Sequence, residues 1–296
     1  MVRLLRVGAA GSETPVVEVA LEGALVWVDI SGFAGDITSS TIGRYASDEF
    51  DSYISEKAGS LRRVERHTSV RVGPPIAAVG KVVCIGLNYV AHAREAGMEI
   101  PTEPVIFMKA ADTIVGPGDT VLIPPTSVKT DYEVELAVVI GRTARYIGDD
   151  DDPLDSVAGY TVSNDVSERE YQLERGGQWD KGKNCETFNP LGPVIVTRKE
   201  LPDPQRLALR STVNGEVRQS SNTADMIFPV VDLVRYVSQF MTLYPGDIIN
   251  TGTPQGVGSG FSPPRFLSDG DVVEVSIEAI GTQCHRFERF CRESAS

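Results

Sequence analysis

The stretch Asp131-Tyr132-Glu133-Val134-Glu135-Leu136-Ala137-Val138-Val139-Ile140-Gly141 limits what this chain can fold into more than any other. On a β-strand, residues two apart share a face. Val134, Leu136, Val138 and Ile140 then line one side and suit a core, while Glu133 and Glu135 share the other side with Ala137 and Val139. Two carboxylates followed by two apolar residues on one face describe a strand whose acidic end is partly withdrawn from water. Like charges there raise each other's pKa and destabilise the fold. A divalent cation relieves that, and oxygen donors favour magnesium, with manganese or calcium as substitutes, over zinc. A solvated edge strand with two acidic residues fits the same spacing.

Short β-type runs recur along the chain. They fall at 16–20 and 24–30, joined by Glu22-Gly23, then at 81–86, 105–109, 120–123, 158–164, 192–197, 248–251 and 272–277. Helix is expected over part of 37–61, and over 224–240 from the spacing of Ile227, Val230, Val231, Val234, Val237 and Phe240. Many strands and few helices predict an α+β, mainly β fold with an antiparallel or mixed core, not repeating βαβ units. Val72-Gly73-Pro74-Pro75 punctuates the chain. A boundary there separates a small N-terminal α+β unit, 1–73, from a larger unit, 74–296.

Composition narrows the function. With 41% hydrophobic and 23% charged residues, the chain is ordinary globular protein. Asp plus Glu number 41 against 28 Lys plus Arg, a net charge of −13, which disfavours nucleic acid as a partner. Arg62, Arg63, Arg66 and Arg71 are interrupted by Glu65 and read as a solvated face. Four cysteines without a C-x-x-C pair are too sparse for a disulfide scaffold, and Cys84 and Cys185 are expected to be buried. No segment reaches the roughly 18 apolar residues of a membrane span, so a cytoplasmic location and no membrane partner are expected.

Four further segments carry chemical groups. Asp165 leaves an apolar run, where it can serve as a third metal ligand or, with Glu168, cap a helix. His92 and Glu95 are three apart and share a face of a short helix between Gly86 and Gly97. A carboxylate beside an imidazole orients it and raises its basicity, as a water-activating base requires, although a surface helix also fits. The other histidines are His67 and His285. Lys183 precedes an apolar strand and can point into a pocket. The glycine-rich loop 250–258, with Gly252 and Thr253, offers amides and hydroxyls to a carboxylate. It lacks the ending of a phosphate-binding P-loop, which excludes nucleotide binding. Both segments also fit ordinary turns. The acidic run 149–152 reads as a loop tip.

In combination and order these stretches are far more specific. CIGLNYVAHAREAG, PVIFMKAADTIVGPGD, DYEVELAVVIG, NDVSEREYQ, KGKNCETFNPLGP and PGDIINTGTPQGVG resemble the fumarylacetoacetate hydrolase family, from about Gly73 to near Gly281. The resemblance implies a mixed β-roll, usually dimeric, acting on a small 2-oxo acid. It implies Glu133, Glu135 and Asp165 as metal ligands and His92, Glu95 and Lys183 as catalytic residues. It implies Lys109, Gln172, Gly252 and Thr253 as substrate-binding residues. Glu168 and Glu170 replace Ala and Asp of NDVSARDWQ-type sequences, and KNCETF replaces the commoner KSFDTF. Both departures are expected around the pocket.

The implied activity is hydrolysis of a 2,4-dioxo acid of the acylpyruvate type to pyruvate and a carboxylic acid. A metal-stabilised enolate forms while the His92–Glu95 pair activates water. Decarboxylation of oxaloacetate and isomerisation of an unsaturated 2-oxo acid use the same electron sink without attacking water. A non-catalytic metal-stabilised binding protein would need the carboxylates but not His92, Glu95 and Lys183 together.

Overall fold

The strand expected over 132–141 forms as Val134–Ile140, with every residue buried. Its alternation divides two cores. Val134, Leu136, Val138 and Ile140 pack with Leu209, Val273, Val275 and Phe287 of a second sheet and with Leu233 and Val237 of a helix. Ala137 and Val139 face the other way, towards Leu4, Val17, Val28, Ile42 and Phe50. The computed structural model describes residues 2–66 and 70–291, so His67 lies outside the described residues.

The larger sheet has 11 strands. Its order is Arg63–Val64, Ala24–Asp29, Thr14–Leu21, Arg3–Val7, Asn189–Thr197, Val157–Asn164, Val134–Ile140, Ile248–Asn250, Val82–Gly86 and Val105–Lys109, with Ile114–Val115 paired to Asn189–Thr197. Most neighbours are antiparallel, but Ile248–Asn250 runs parallel to Val82–Gly86. The mixed, mainly β architecture expected from the sequence is therefore present. A five-stranded sheet packs against it, ordered Glu216–Asn222, Ala208–Val213, Val272–Ile277, Gly281–Arg289 and Val121–Ile123.

The N-terminal strands belong to the large sheet. Arg3 and Leu4 pair with Val196 and Ile195, and Leu4 and Val17 share a core with Val82 and Leu191. Neither the sheet nor the core is interrupted at Gly73.

Two local differences have clear causes. The helix expected over 224–240 is shorter, Val230–Phe240, because Pro229 stands at its N-cap and Asn88 holds the preceding segment extended. The Asn88 carbonyl accepts from the Ile227 amide at 2.8 Å, and its side-chain oxygen accepts from the Phe228 amide at 2.8 Å. The hairpin Ala208–Val213/Glu216–Asn222 was not expected, although its turn is Asn214-Gly215. Both residues have positive φ, 50° and 81°, as a tight two-residue hairpin turn requires. All four cysteines are free. Cys84 is buried, but Cys185 is only partly so. Among the described residues no helix is long and apolar enough to cross a membrane.

Candidate active site

Strand pairing assembles the acidic centre. Glu135 is the second residue of Val134–Ile140, Glu133 immediately precedes that strand, and Asp165 immediately follows Val157–Asn164. The two strands are antiparallel with Val134 opposite Asn164, so their ends coincide. The Asp165 amide donates to the Glu133 carbonyl at 2.9 Å, which fixes the junction. One carboxylate oxygen from each of Glu133, Glu135 and Asp165 lies within 4.8 Å of the others, and all three residues are buried.

Buried carboxylates need positive charge nearby. Lys183 donates from Nζ to Glu133 Oε2 at 2.7 Å and to Asp165 Oδ2 at 3.0 Å. Arg169 donates to Glu133 Oε1 at 2.7 Å, to Asp131 Oδ2 at 2.9 Å and to Gln172 Oε1 at 3.0 Å. Lys109 bonds Asp165 from behind and also donates to the carbonyls of Val166 (3.0 Å) and Phe188 (2.7 Å). Glu135 accepts from the Gly252 amide at 2.8 Å, and among the described residues no Lys, Arg or His pairs with it.

The electrostatics follow this unequal supply. Burial pushes the Glu133 carboxyl up, but Lys183, Arg169 and His92 outweigh burial and hold it at about 2. Burial, and then the charges of Asp165 and Glu133, push Glu135 well above the usual carboxylate range. Burial disfavours the Lys183 ammonium, but Asp165 and Glu133 more than compensate and raise its pKa. The trio is thus short of positive charge at Glu135. A divalent cation matches both that deficit and the all-oxygen donor set.

The cavity above the trio is lined by Glu133, Glu135, Lys183, Arg169, Gln172, Thr253, Ser259 and His92, with an apolar wall. His92 and Glu95 occupy the short helix Val90–Glu95, with His92 Nδ1 at 3.3 Å from Glu95 Oε2. Glu95 also accepts from the Gly256 amide at 2.9 and 3.1 Å, which ties the helix to the glycine-rich loop. Gly260 leaves room for that contact, since a Cβ there would lie 2.2 Å from Glu95 Cδ. Asp131 anchors the same loop from below by accepting from Gly258 at 2.6 Å and Ser259 at 3.0 Å, while it also holds Arg169.

A family model described as the C-terminal part of fumarylacetoacetate (FAA) hydrolase matches residues 81–288. The chain belongs to the fumarylacetoacetate hydrolase family. A Burkholderia lata protein provisionally named a hydrolase is 46% identical over 289 residues, which are 95% of this chain and 97% of that one. Among solved structures, fumarylacetoacetate hydrolase from psychrophilic Exiguobacterium antarcticum is 34% identical, with a TM-score of 0.82 over 98% of this chain and 100% of that one. Maleylpyruvate hydrolase from Sphingobium sp. SYK-6 is 28% identical, with a TM-score of 0.77 over 97% and 100%. The 2-hydroxyhepta-2,4-diene-1,7-dioate isomerase from Mycobacterium marinum is 34% identical, with a TM-score of 0.73 over 98% and 99%. The chain is therefore an enzyme of a family whose members generally use a divalent metal.

Most residues singled out in the sequence converge on this fumarylacetoacetate hydrolase-type cavity. Glu133, Glu135, His92, Lys183, Gln172 and Thr253 line it. Asp165 completes the trio beneath, and Glu95 backs His92. Lys109 and Gly252 stand one layer behind the wall, where they hold Asp165 and Glu135. Asp165 bonds to lysines and caps no helix; a bridging strand, Ser167–Glu168, follows it. The sequence departures do not line the cavity. Glu168 is buried and accepts from Ser127 Oγ at 3.1 Å and the Lys129 amide at 2.9 Å, while Glu170 pairs with Arg175. Arg169, Asp131 and Trp179 were not expected from the sequence. The first two lie within the motif stretches, but nothing in their spacing reveals that they bond each other.

Proposed function

We propose that this chain hydrolyses a carbon–carbon bond of a small 2,4-dioxo acid, releasing pyruvate and a carboxylic acid. The observation that carries the reading is the His92–Glu95 pair beside Lys183 and the carboxylate trio. The trio alone serves hydrolysis, decarboxylation and isomerisation equally. A positioned base is what hydrolysis needs in addition.

Glu133, Glu135 and Asp165 would hold a divalent cation, magnesium in this reading, which would supply Lewis acidity to the substrate's 2-oxo acid end. Gln172 and Thr253 orient the substrate's acid end along the cavity wall, and Arg169 positions Gln172 by donating to its Oε1. His92 turns Nδ1 towards Glu95, which leaves Nε2 to accept a proton from water. The hydroxide so formed adds to the C4 carbonyl. The C3–C4 bond then breaks, and its electron pair moves towards the C2 oxygen. Lys183, an ammonium held by Glu133 and Asp165, stabilises that developing negative charge. The proton on His92 is available to C3, which completes pyruvate. Glu95 stabilises the intervening imidazolium.

Magnesium-loaded protein is to be screened against 2,4-dioxo acids and oxaloacetate, with pyruvate release as the readout. Equal amounts of pyruvate and carboxylic acid, abolished by EDTA, support the reading. Turnover indifferent to EDTA, or carbon dioxide release from oxaloacetate alone, sinks it. Metal-dependent ligand binding without turnover returns the protein to a binding role. The resemblance to the Mycobacterium marinum isomerase supports isomerisation as the second reading, recognised by a product of unchanged mass. A homodimer in the cytoplasm is part of the same proposal, and the mass of the purified protein in solution tests the dimer.

A further inference from the structure

The cavity also has an apolar wall. Ile85, Leu87, Phe107, Trp179, Leu173 and Met98 line it, and Phe107 adjoins the trio, with Lys183 Nζ 5.0 Å from its ring centroid. Trp179 packs edge-on to Phe107 with ring centroids 5.6 Å apart. Its ring lies over Gly86 so closely that a Cβ there would be 2.6 Å from Trp179 Cζ3. Met98 and Leu173 are 45% and 53% exposed, which places large apolar side chains in water at the rim. Such side chains are stabilised when something apolar covers them.

The basic side chains of the cavity able to meet a carboxylate already have protein partners. Lys183 bonds Glu133 and Asp165. Arg169 directs Nε to Asp131, one terminal nitrogen to Gln172 and the other to Glu133. His92 faces Glu95. Outside the wall, Lys181 donates to the Arg175 carbonyl at 2.7 Å, Arg175 pairs with Glu170, and Lys129 pairs with Glu174. Arg94 lies on the exposed side of the helix above the cavity and is not part of its lining. Among the described residues, neither Lys183 nor Arg169, the lysine and arginine that line the cavity, is without a carboxylate partner.

We infer that the substrate's acyl group beyond C4 is uncharged and apolar, and that the site rejects 2-oxo acids bearing a carboxylate at the far end. This rests on the proposed acid-end orientation, with the substrate's carboxylate and 2-oxo group at the trio. A far-end carboxylate would then lose its water against Trp179, Met98 and Leu173 without gaining a counter-ion. An alkyl tail would gain about fourfold in binding for each methylene buried there. The names of two structural relatives refer to a dioate and to maleylpyruvate. The specificity inferred here separates this chain from such two-acid substrates.

The test compares 2,4-dioxooctanoate with 2,4-dioxooctanedioate, which match in length and differ in the terminal carboxylate. The kcat/KM of the magnesium-loaded enzyme is expected to favour the mono-acid by about 100-fold, mostly through KM. Equal efficiency, or preference for the di-acid, overturns the inference. Leu173→Arg is expected to narrow the ratio about tenfold by supplying a counter-ion, and an unmoved ratio counts against the placement of the tail. Arg94→Gln is expected to leave the ratio unchanged, and a collapse of di-acid turnover in that variant counts against it. If neither compound is cleaved, the hydrolytic reading has failed, and binding still decides the inference. Calorimetry with the magnesium-loaded protein should then show 2-oxooctanoate binding about tenfold tighter than 2-oxooctanedioate. Equal binding overturns it.

Discussion

Glu95 accepts two contacts from the Gly256 amide, at 2.9 and 3.1 Å, while its Oε2 lies 3.3 Å from His92 Nδ1. One carboxylate thus closes the short helix onto the glycine-rich loop and faces the candidate base. Glu95→Gln keeps an acceptor for Gly256 but removes the charge beside His92. It is expected to retain the melting temperature and to lower kcat about 100-fold, similar to His92→Ala. Steady-state pyruvate release beside thermal melts checks this, and full activity in Glu95→Gln sinks the dyad.

Glu135 is the member of the trio without a cationic partner, and its carboxyl is pushed well above the usual range. Glu135→Gln replaces a carboxyl whose charged form burial disfavours. In metal-free protein it is expected to be neutral or stabilising. Magnesium at about 100 times its Kd should stabilise the unmutated chain by about 2.7 kcal/mol. It should stabilise the variant far less. Urea titrations with and without magnesium measure both, and an equal magnesium effect in the two proteins removes Glu135 from the ligand set.

Gly86 faces Trp179 at the apolar wall. Gly86→Ala places a methyl 2.6 Å from Cζ3 and must displace the indole. Destabilisation of about 1–3 kcal/mol is expected, together with a rise in KM. Trp179 fluorescence should shift as well, whereas an unchanged KM separates Trp179 from substrate binding.

Arg71 joins the N-terminal residue Glu13 at 2.8 Å to Asp119 at 2.7 Å. Burial would raise both carboxyls, but the Arg71 hydrogen bonds and nearby amides outweigh it and hold them below their ordinary range. A carboxyl depressed in the folded state binds fewer protons there than in the unfolded chain. Its stabilisation is full above the unfolded pKa, about 4, and disappears as pH falls through the lower folded value. Arg71→Met should therefore be less stable than the unmutated chain at pH 7, with a smaller gap at pH 3. Equal gaps at both pH values would falsify the linkage.

The alternation of Val134 to Ile140 was legible because it is local, and it separates the two cores in the structure. The carboxylate pair was legible for the same reason, and ordered motifs extended it to Asp165, Lys183 and His92. Asn214-Gly215 carried a readable hairpin signal that its polar flanking strands obscured.

What the sequence determined by itself was which groups the chain owns and which face of a strand or helix each occupies, since both follow from backbone periodicity. Tertiary structure decided their roles. Glu95 meets Gly256 across 161 positions, and Lys109 lies behind Asp165 instead of on the cavity wall. Arg169 is shared between Asp131 and Glu133. Those outcomes depend on which strand ends coincide and how much water burial removes, and local spacing encodes neither. The acidic strand that most limits the fold thus supplied two of the three buried carboxylates. Only the packing around it lowered the Glu133 carboxyl and raised that of Glu135.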